Sequence, residues 1–157
     1  MKPRLYLETT IPSYLVARRS RDLRLAADQE TTEEWWETRR MDFDLFVSEA
    51  VIAEISRGNP GFAAARLAAL RGLPVLANSP MAVRVTKRLL AEGIIPRVAA
   101  DDATHLGLAA AHAMDFLLTW NCRHINNPAL ERRIERVCTD CGAVCPVICT
   151  PAEILNP

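Results

Sequence analysis

The sequence predicts an α/β fold in which helices cover both faces of a parallel sheet. Short apolar runs alternate with longer segments of helical pattern, and strands that alternate with helices in this way usually pair in parallel. The predicted strands are apolar on both faces, as expected beneath two helical layers. Turn residues, among them Gly58, Pro60, Gly72 and Gly93, separate the segments.

Each predicted element follows from its local pattern. The strand predictions rest on short apolar runs such as PVLA, and cover residues 4–8, 43–48, 74–77, 115–119 and 146–149. The helix predictions cover residues 22–40, 49–57, 60–71, 80–92, 101–114 and 128–141. Asp101 is expected to cap the helix before the fourth strand, because its carboxylate can accept backbone N–H groups. Thr150 and Pro151 are expected to open a short final helix.

Length and net charge limit the number of domains and the way in which the chain could bind nucleic acid. The 157 residues suit a single domain spanning 1–157. Nineteen basic and nineteen acidic residues give a net charge of zero, so no overall positive field draws the chain to nucleic acid. Contacts with nucleic acid would depend on three local arginine groups: Arg18, Arg19, Arg21 and Arg24; Arg39 and Arg40; and Arg132, Arg133 and Arg136.

The sequence predicts a cytoplasmic protein with reduced thiols. Its beginning, MKPRLYLETT, lacks the apolar run of a signal peptide, and no stretch is apolar for the ~18 residues of a membrane span. Five cysteines in such a protein are expected to be free. The last four have the spacing C-x2-C-x3-C-x3-C, which does not match the two separated pairs of a zinc ribbon: Cys138, Cys141, Cys145 and Cys149.

Polar residues are predicted to meet at one edge of the sheet. Glu8 ends the first strand, Glu54 lies in the helix after the second, and Asn121 follows the fourth. Asp102 opens the helix that leads into the fourth strand, so it lies at the same edge. Ligands of parallel α/β sheets bind at this carboxyl edge. The sequence therefore predicts a site that contains three carboxylates and one amide.

Three carboxylates at one place repel one another unless a cation lies between them. Mg²⁺ suits oxygen ligands and stabilises charge on a phosphodiester, whereas no motif of a serine hydrolase, nucleotide-binding loop or HExxH zinc site occurs. Simpler roles stay open for individual residues. Glu8 and Glu54 can be exposed charges, Asp102 can serve the helix dipole, and Asn121 can be a turn residue.

Two further features have alternative interpretations. His105 lies one turn after Asp102, where it can hydrogen-bond a neighbouring carboxylate or be a satisfied, partly buried histidine. Trp35 and Trp36 point in different directions on one helix. One is expected in the core and the other at an interface or against a base, and the sequence leaves open which is which.

An ordered set of motifs resembles a known family. The segments LYLETTIPSY, FVSEAVIAEI, AADDATHLGLAAAHAMDFLLTWNCRH and ICTPAEIL are similar, in this order, to those of PIN-domain proteins, most of all the VapC-like toxin ribonucleases. The resemblance covers nearly the whole chain. It implies a three-layer α/β/α sandwich with a central parallel sheet.

The resemblance also implies an activity and a site. Its four site positions fall on Glu8, Glu54, Asp102 and Asn121, with Mg²⁺ or Mn²⁺ held by Glu8, Asp102 and Asn121. Glu8 stands where aspartate is commoner, and Asn121 replaces an acid, which removes one negative charge. The expected substrate is RNA, and the expected partners are an antitoxin protein and a second copy of the chain. At the predicted edge, Thr9, Arg123 and His124 are candidates for contacts with the RNA, while the alternatives are a solvated charge for Arg123 and a local cap or hydrogen bond for His124.

Three hypotheses therefore compete. The leading one is a metal-dependent endoribonuclease that serves as the toxin of a toxin–antitoxin pair. The second is an interaction module in which the altered positions Glu8 and Asn121 mark a weakened site that binds RNA or protein without cutting. The third, a redox or metal sensor built on the C-terminal cysteines, has the least support from their spacing.

Overall fold

Five parallel strands form one central sheet. The computed structural model describes residues 1–156, and its strands follow the order β3-β2-β1-β4-β5. Their bounds are β1 (Arg4–Leu7), β2 (Asp44–Ser48), β3 (Val75–Leu76), β4 (Phe116–Leu118) and β5 (Val147–Cys149). Every pairing is parallel. All five predicted strands are confirmed, each shorter by one or two residues.

The first strand is the centre of the core. Tyr6 pairs with Phe46 on one side and Leu117 on the other, and Leu5, Tyr6 and Leu7 are fully buried. A central strand covered on both faces has no solvent side, so its apolar run shows no alternation.

Helices cover both faces of the sheet. Their bounds are α1 (Thr10–Val16), α2 (Leu23–Thr38), α3 (Glu49–Ile55), α4 (Pro60–Ala69), α5 (Pro80–Ala91), α6 (Ala100–Ala111) and α7 (Glu131–Asp140). Helix α1 packs on α2 and α4, while α5 packs on α6 and α7. Strand order reverses beside β1, so right-handed connections send the two groups to opposite faces. The predicted α/β/α sandwich with a central parallel sheet is confirmed.

Two local predictions are wrong. The sequence analysis placed no helix between residues 8 and 22, yet α1 occupies Thr10–Val16. It is only seven residues long and contains Pro12, so its helical pattern is too short to recognise. Asp101 does not cap α6, because a 3₁₀ turn ending at Ala99 continues directly into the helix. The Asp101 carboxylate instead lies 3.3 Å from Arg57.

The final short helix is confirmed in position but is a 3₁₀ helix. It spans Pro151–Ile154 and begins with a capping box in which Thr150 and Glu153 bond each other's backbone. Thr150 thus fixes the chain just after the edge strand β5.

Helices α5 and α6 approach each other closely at Gly107. A Cβ atom at this position would lie 2.6 Å from the Ala82 carbonyl oxygen and 2.4 Å from the Thr86 hydroxyl oxygen. Since the first of these atoms is backbone, a side chain can be accommodated only if the helices separate. This contact sets the position of α6, and α6 carries Asp102 and His105.

We predict that Gly107→Ala destabilises the protein by about 1–3 kcal/mol, the usual cost of overpacking. Urea unfolding measures the change. Gly61→Ala in α4 is the matched control, because its Cβ would meet only the end of the Asn59 side chain at 3.2 Å. An unchanged stability of Gly107→Ala would show that the two helices are not in fixed contact there.

Candidate active site at the carboxyl edge of the sheet

The candidate site lies where the strand order reverses. Glu8 follows β1 and Thr119 follows β4, and these two strands are neighbours. The chain leaves β1 toward β2 on one side, whereas β4 joins from the other side. Such a reversal opens a crevice beyond the strand ends, which is the usual ligand site of parallel α/β sheets.

Glu8 is a buried carboxylate held by neutral donors. Its residue is only 3% exposed. The Oε2 atom accepts hydrogen bonds from the Thr10 backbone N–H (3.0 Å), the Thr10 hydroxyl (2.6 Å) and the Thr119 hydroxyl (2.8 Å). Within residues 1–156, no basic side chain pairs with Glu8 and no donor reaches Oε1. A buried charge without a cation is costly, so this free oxygen marks a place for one.

Glu54 approaches Glu8 from α3. The Ser48 side chain caps this helix by accepting from the Val51 N–H at 3.2 Å, which fixes the helix at the end of β2. The Glu54 Oε1 atom accepts from the Thr9 hydroxyl at 2.9 Å and bonds the His105 Nε2 atom. Its Oε2 atom has no partner within the described residues, so Glu54 also presents one free oxygen.

The interaction between Glu54 and His105 shifts the pKa values of both groups in favour of their charged forms. Burial raises the pKa of Glu54, but the hydrogen bond and positive charge of His105, with help from Thr9 and Arg57, outweigh it, and the pKa lies below its usual value. Burial lowers the pKa of His105, but its bond to Glu54 and the negative charges of Glu8, Glu54 and Asp102 raise it overall. Glu54 therefore stays ionised at neutral pH.

A buried hydroxyl pair lies behind His105. The Tyr6 hydroxyl is 2.7 Å from His105 Nδ1 and 2.7 Å from the Ser48 hydroxyl. Tyr6, Ser48 and His105 are all fully buried, and burial raises the pKa of Tyr6, so the phenol keeps its proton. Hydrogen bonds thus connect the end of β2 with Glu54 through the central strand and α6.

Asp102 and Asn121 each have a protein partner. The Asp102 Oδ2 atom is 2.9 Å from His124 Nδ1, and both side chains are about one-fifth exposed. The Asn121 Oδ1 atom accepts the His124 backbone N–H at 3.0 Å, which is the bond of a turn residue. Asp102 Oδ1 remains without a partner within residues 1–156.

The remaining predicted residues lie at the rim. Thr9 is half-buried, and its hydroxyl donates a hydrogen bond to Glu54 Oε1. Arg123 is exposed, and only its carbonyl oxygen is bonded, by the Asn127 side chain at 2.8 Å. His124 binds Asp102 as described above, which leaves its Nε2 atom without a protein partner among the described residues.

The side chains fit a divalent cation. Ligand atoms of Glu8, Glu54 and His105 lie within 4.8 Å of one another. Glu8, Glu54 and Asp102 each have one oxygen anchored by the protein and one free, the arrangement expected of carboxylates that are oriented for a metal. Asp102 lies outside the tight group, whereas the sequence predicts that it is a ligand together with Glu8 and Asn121.

The C-terminal cysteines form no comparable group. All five cysteines are free thiols, and Cys138 and Cys149 are buried. Within residues 1–156, no set of three or more cysteine, histidine or acidic ligands that includes them is close enough to share an ion. The expectation of free thiols is therefore confirmed for the described residues.

The sequence indicated the acids of the site but not most of the residues that hydrogen-bond them. It considered a hydrogen bond from His105 to a carboxylate but did not identify Glu54 as the partner. It did not find Tyr6, Thr10 or Thr119 as parts of the site. The only available signal was a hydroxyl residue close to the polar site residue at a strand end, as with Glu8 in LETT and Asn121 in LLTWN.

A solved structure has a fold similar to that of this chain. No family model matches the sequence, and no curated protein matches it. Among solved structures, a chain of the VapBC2 complex from Rickettsia felis, bound to a DNA fragment from its promoter, matches with a TM-score of 0.59 and 16% identity. The match covers 93% of this chain and 97% of that chain. At this identity the likeness concerns the fold, which is PIN-like, as the resemblance implied.

Within residues 1–156, no helix is both long and apolar enough to cross a bilayer.

We predict that the Glu54–His105 interaction stabilises the metal-free protein most between about pH 4.5 and 6.5. The lowered pKa of Glu54 gives a contribution that is present above its unfolded value of about 4.3 and lost as the pH falls through the folded value. The raised pKa of His105 gives a contribution that is complete below about 6.5 and lost as the pH rises through the folded value.

A double-mutant cycle with Glu54→Gln and His105→Leu, followed by urea unfolding in EDTA, measures this interaction at each pH. We expect a coupling of about 1–3 kcal/mol in the window and a smaller value at pH 9. A coupling that grows steadily from pH 6 to pH 9 would contradict the charged pair.

Proposed function

We propose that the protein is a metal-dependent endoribonuclease that hydrolyses phosphodiester bonds of RNA. One observation carries the proposal: Glu8 is buried at the reversal of strand order beside a second carboxylate, and within residues 1–156 no basic side chain forms an ion pair with it. A divalent cation relieves the repulsion between the carboxylates. The PIN-like fold and the resemblance of the ordered motifs agree with this activity.

Glu8 and Asp102 would hold Mg²⁺ or Mn²⁺ through their free oxygens, with Asn121 as a neutral ligand. When bound, the ion would supply positive charge for the phosphodiester and make an attacking water more acidic. Glu54, ionised at neutral pH, would hold the ion through water or accept the proton of the attacking water. Carboxylate and amide oxygens suit Mg²⁺ and Mn²⁺ better than softer ions.

Residues at the rim would hold the RNA. The Arg123 side chain is exposed beside the site and suits a phosphate, because guanidinium groups bind phosphates in pairs of hydrogen bonds. Thr9 and His124 would face the same strand of RNA. Further along, Arg18, Arg21 and Arg24 are exposed after α1, which begins beside Glu8. These local charges would replace the overall positive field that the chain lacks, and we place the activity in the cytoplasm.

A non-catalytic RNA- or protein-binding module is the alternative. It is favoured by Asn121, which stands where the resembling family has an acid and whose oxygen already holds a turn. With one negative charge fewer, the site would bind metal more weakly. The metal affinity of the protein decides between the two functions.

We predict that Asp102→Asn abolishes both Mn²⁺ binding and RNA cleavage. Calorimetric titration of Mn²⁺ and cleavage of a fluorescent RNA measure the two effects. Asp101→Asn is the matched control, because Asp101 is a neighbouring acid whose side chain is 58% exposed and faces Arg57. Absence of metal binding and cleavage in the wild type at millimolar Mn²⁺ would favour the interaction module.

We predict that Asn121→Asp increases the affinity for Mn²⁺ by about tenfold, since it adds a charge worth roughly 1.4 kcal/mol at a partly solvated site. The carboxylate can still accept the His124 N–H, so the turn should persist. Calorimetry measures the affinity, and Asn78→Asp controls for overall charge, because Asn78 is exposed and an aspartate there can still accept the Ser79 N–H. A reduced affinity would place Asn121 outside the metal site.

We propose further that the protein has an antitoxin partner and forms a homodimer. The structurally similar chain belongs to a VapBC2 complex. The present chain also has a surface suited to a partner segment: three adjoining depressions of about 330, 380 and 370 Å³ run between α1, α2 and α4. We call this surface the α1/α2/α4 groove. Trp36 and Ala69 join the first two depressions and Val16 joins the second and third.

The two tryptophans have different roles in this region. Trp35 is fully buried in the core. Trp36 lines the groove, and the Cζ atom of the Arg40 guanidinium lies over its ring, 4.9 Å from the centre of the Trp36 ring. A groove that combines an aromatic anchor with charged lining residues such as Glu33 and Glu37 suits an amphipathic segment. The sequence analysis expected one tryptophan in the core and one at an interface, and Trp36 is the candidate for the interface.

We predict that Ala69→Arg, which fills the middle of the groove, lowers the affinity for an antitoxin at least tenfold. The probe is the small protein encoded beside this gene, if its sequence contains a DNA-binding motif, and co-expression followed by calorimetry measures binding. Ala68→Arg is the matched control, because it is exposed on the same helix outside the groove. Equal binding by both variants would place the partner elsewhere.

A further inference from the structure

His105 has one nitrogen within reach of a metal ion, yet its hydrogen bonds indicate another role. His105 contributes one ring nitrogen to the tight group with Glu8 and Glu54, and Nε2 is the nitrogen that bonds Glu54. A histidine nitrogen can coordinate a metal only through a free lone pair. His105 can therefore bind a metal through Nε2 only if this atom carries no proton. The hydrogen bonds of Tyr6 and Ser48 on the Nδ1 side determine which nitrogen is protonated.

The order of donors can be traced from a group that can only donate. The Val51 backbone N–H donates to the Ser48 oxygen at 3.2 Å. The Ser48 hydroxyl can then donate to the Tyr6 oxygen at 2.7 Å. The Tyr6 hydroxyl donates in turn to His105 Nδ1 at 2.7 Å. In this order every buried hydroxyl has a partner, and the proton of a neutral imidazole lies on Nε2, facing Glu54.

The opposite order leaves buried groups unsatisfied. If neutral His105 carried its proton on Nδ1, that proton would go to Tyr6, and Tyr6 would donate to Ser48. The Ser48 hydroxyl would then have no acceptor within residues 1–156, although Ser48 is fully buried. The bare Nε2 lone pair would also face the ionised Glu54 carboxylate. Both faults are costly in a buried site. In the imidazolium form, Nε2 carries a proton as well.

We propose that His105 is a positioning residue that fixes the Glu54 carboxylate through an Nε2 proton, and that it does not coordinate the metal. Together with Thr9, it holds Glu54 Oε1 and leaves Oε2 free for the site. Tyr6 and Ser48 set the tautomer of His105 from behind. This inference deepens the proposed nuclease function and rests on it for the role of Glu54, whereas the tautomer can be tested without metal.

The first test observes the ring nitrogens directly. In protein labelled with ¹⁵N-histidine and kept in EDTA, we expect the His105 spectrum to show a protonated Nε2. Tyr6→Phe should shift the Nδ1 resonance, because it removes the donor to that atom. A neutral ring with its proton on Nδ1 would overturn the proposal, and this readout holds even if the protein cuts no RNA.

The second test separates positioning from coordination. His105→Gln restores an N–H donor near the place of Nε2, whereas His105→Leu fills the space without a donor. We expect His105→Leu to lower Mn²⁺ affinity about 10–100-fold, as loss of a supporting hydrogen bond commonly does, and His105→Gln to recover most of it. Pulsed electron paramagnetic resonance of bound Mn²⁺ should show no directly coordinated ¹⁴N.

The outcomes separate the positioning role of His105 from the proposed nuclease function. A coordinated ¹⁴N signal that disappears in His105→Gln would make His105 a metal ligand and overturn its positioning role. Equal Mn²⁺ affinity in the wild type and His105→Leu would also overturn it. If Mn²⁺ does not bind to the wild type at all, the nuclease function fails, while the ¹⁵N spectrum still reports on the tautomer.

Discussion

The buried carboxylate of Glu8 is the constraint on which the rest of the site depends. It lies at the end of the central strand, where water is largely excluded, and it is stabilised by one backbone N–H and the hydroxyls of Thr10 and Thr119. These donors join α1 and β4 to β1. Holding an anion in such a place without a basic partner is costly, so the surroundings favour a bound cation.

The same hydroxyls link the site to the framework. The Thr10 oxygen also accepts the Trp120 backbone N–H at 2.9 Å, and the Thr119 oxygen accepts the Asn121 N–H at 2.9 Å. The turn that carries Asn121 is thus fixed by the residues that hold Glu8. On the other side, α3 is capped by Ser48 and presents Glu54. Rigid elements therefore position the acids more firmly than loops would.

Two histidines distinguish this site from a simple cluster of acids. His105 and His124 each bond one oxygen of a carboxylate, Glu54 and Asp102 respectively, and leave the second oxygen free. Each carboxylate thereby gains orientation without losing its capacity to bind a cation. Asn121 adds no charge to these carboxylates, since it is a neutral amide whose oxygen accepts the His124 backbone N–H.

The sequence by itself determined the alternation of strands and helices and the edge at which the acids gather, because these follow from periodicity and the geometry of parallel sheets. It missed the short helix α1, misplaced the start of α6, which lies at Ala100, and left open the partner of His105. Only the tertiary structure decided these features. They depend on which elements pack together, and contacts such as Tyr6 with His105 join residues 99 positions apart, beyond the reach of any local pattern.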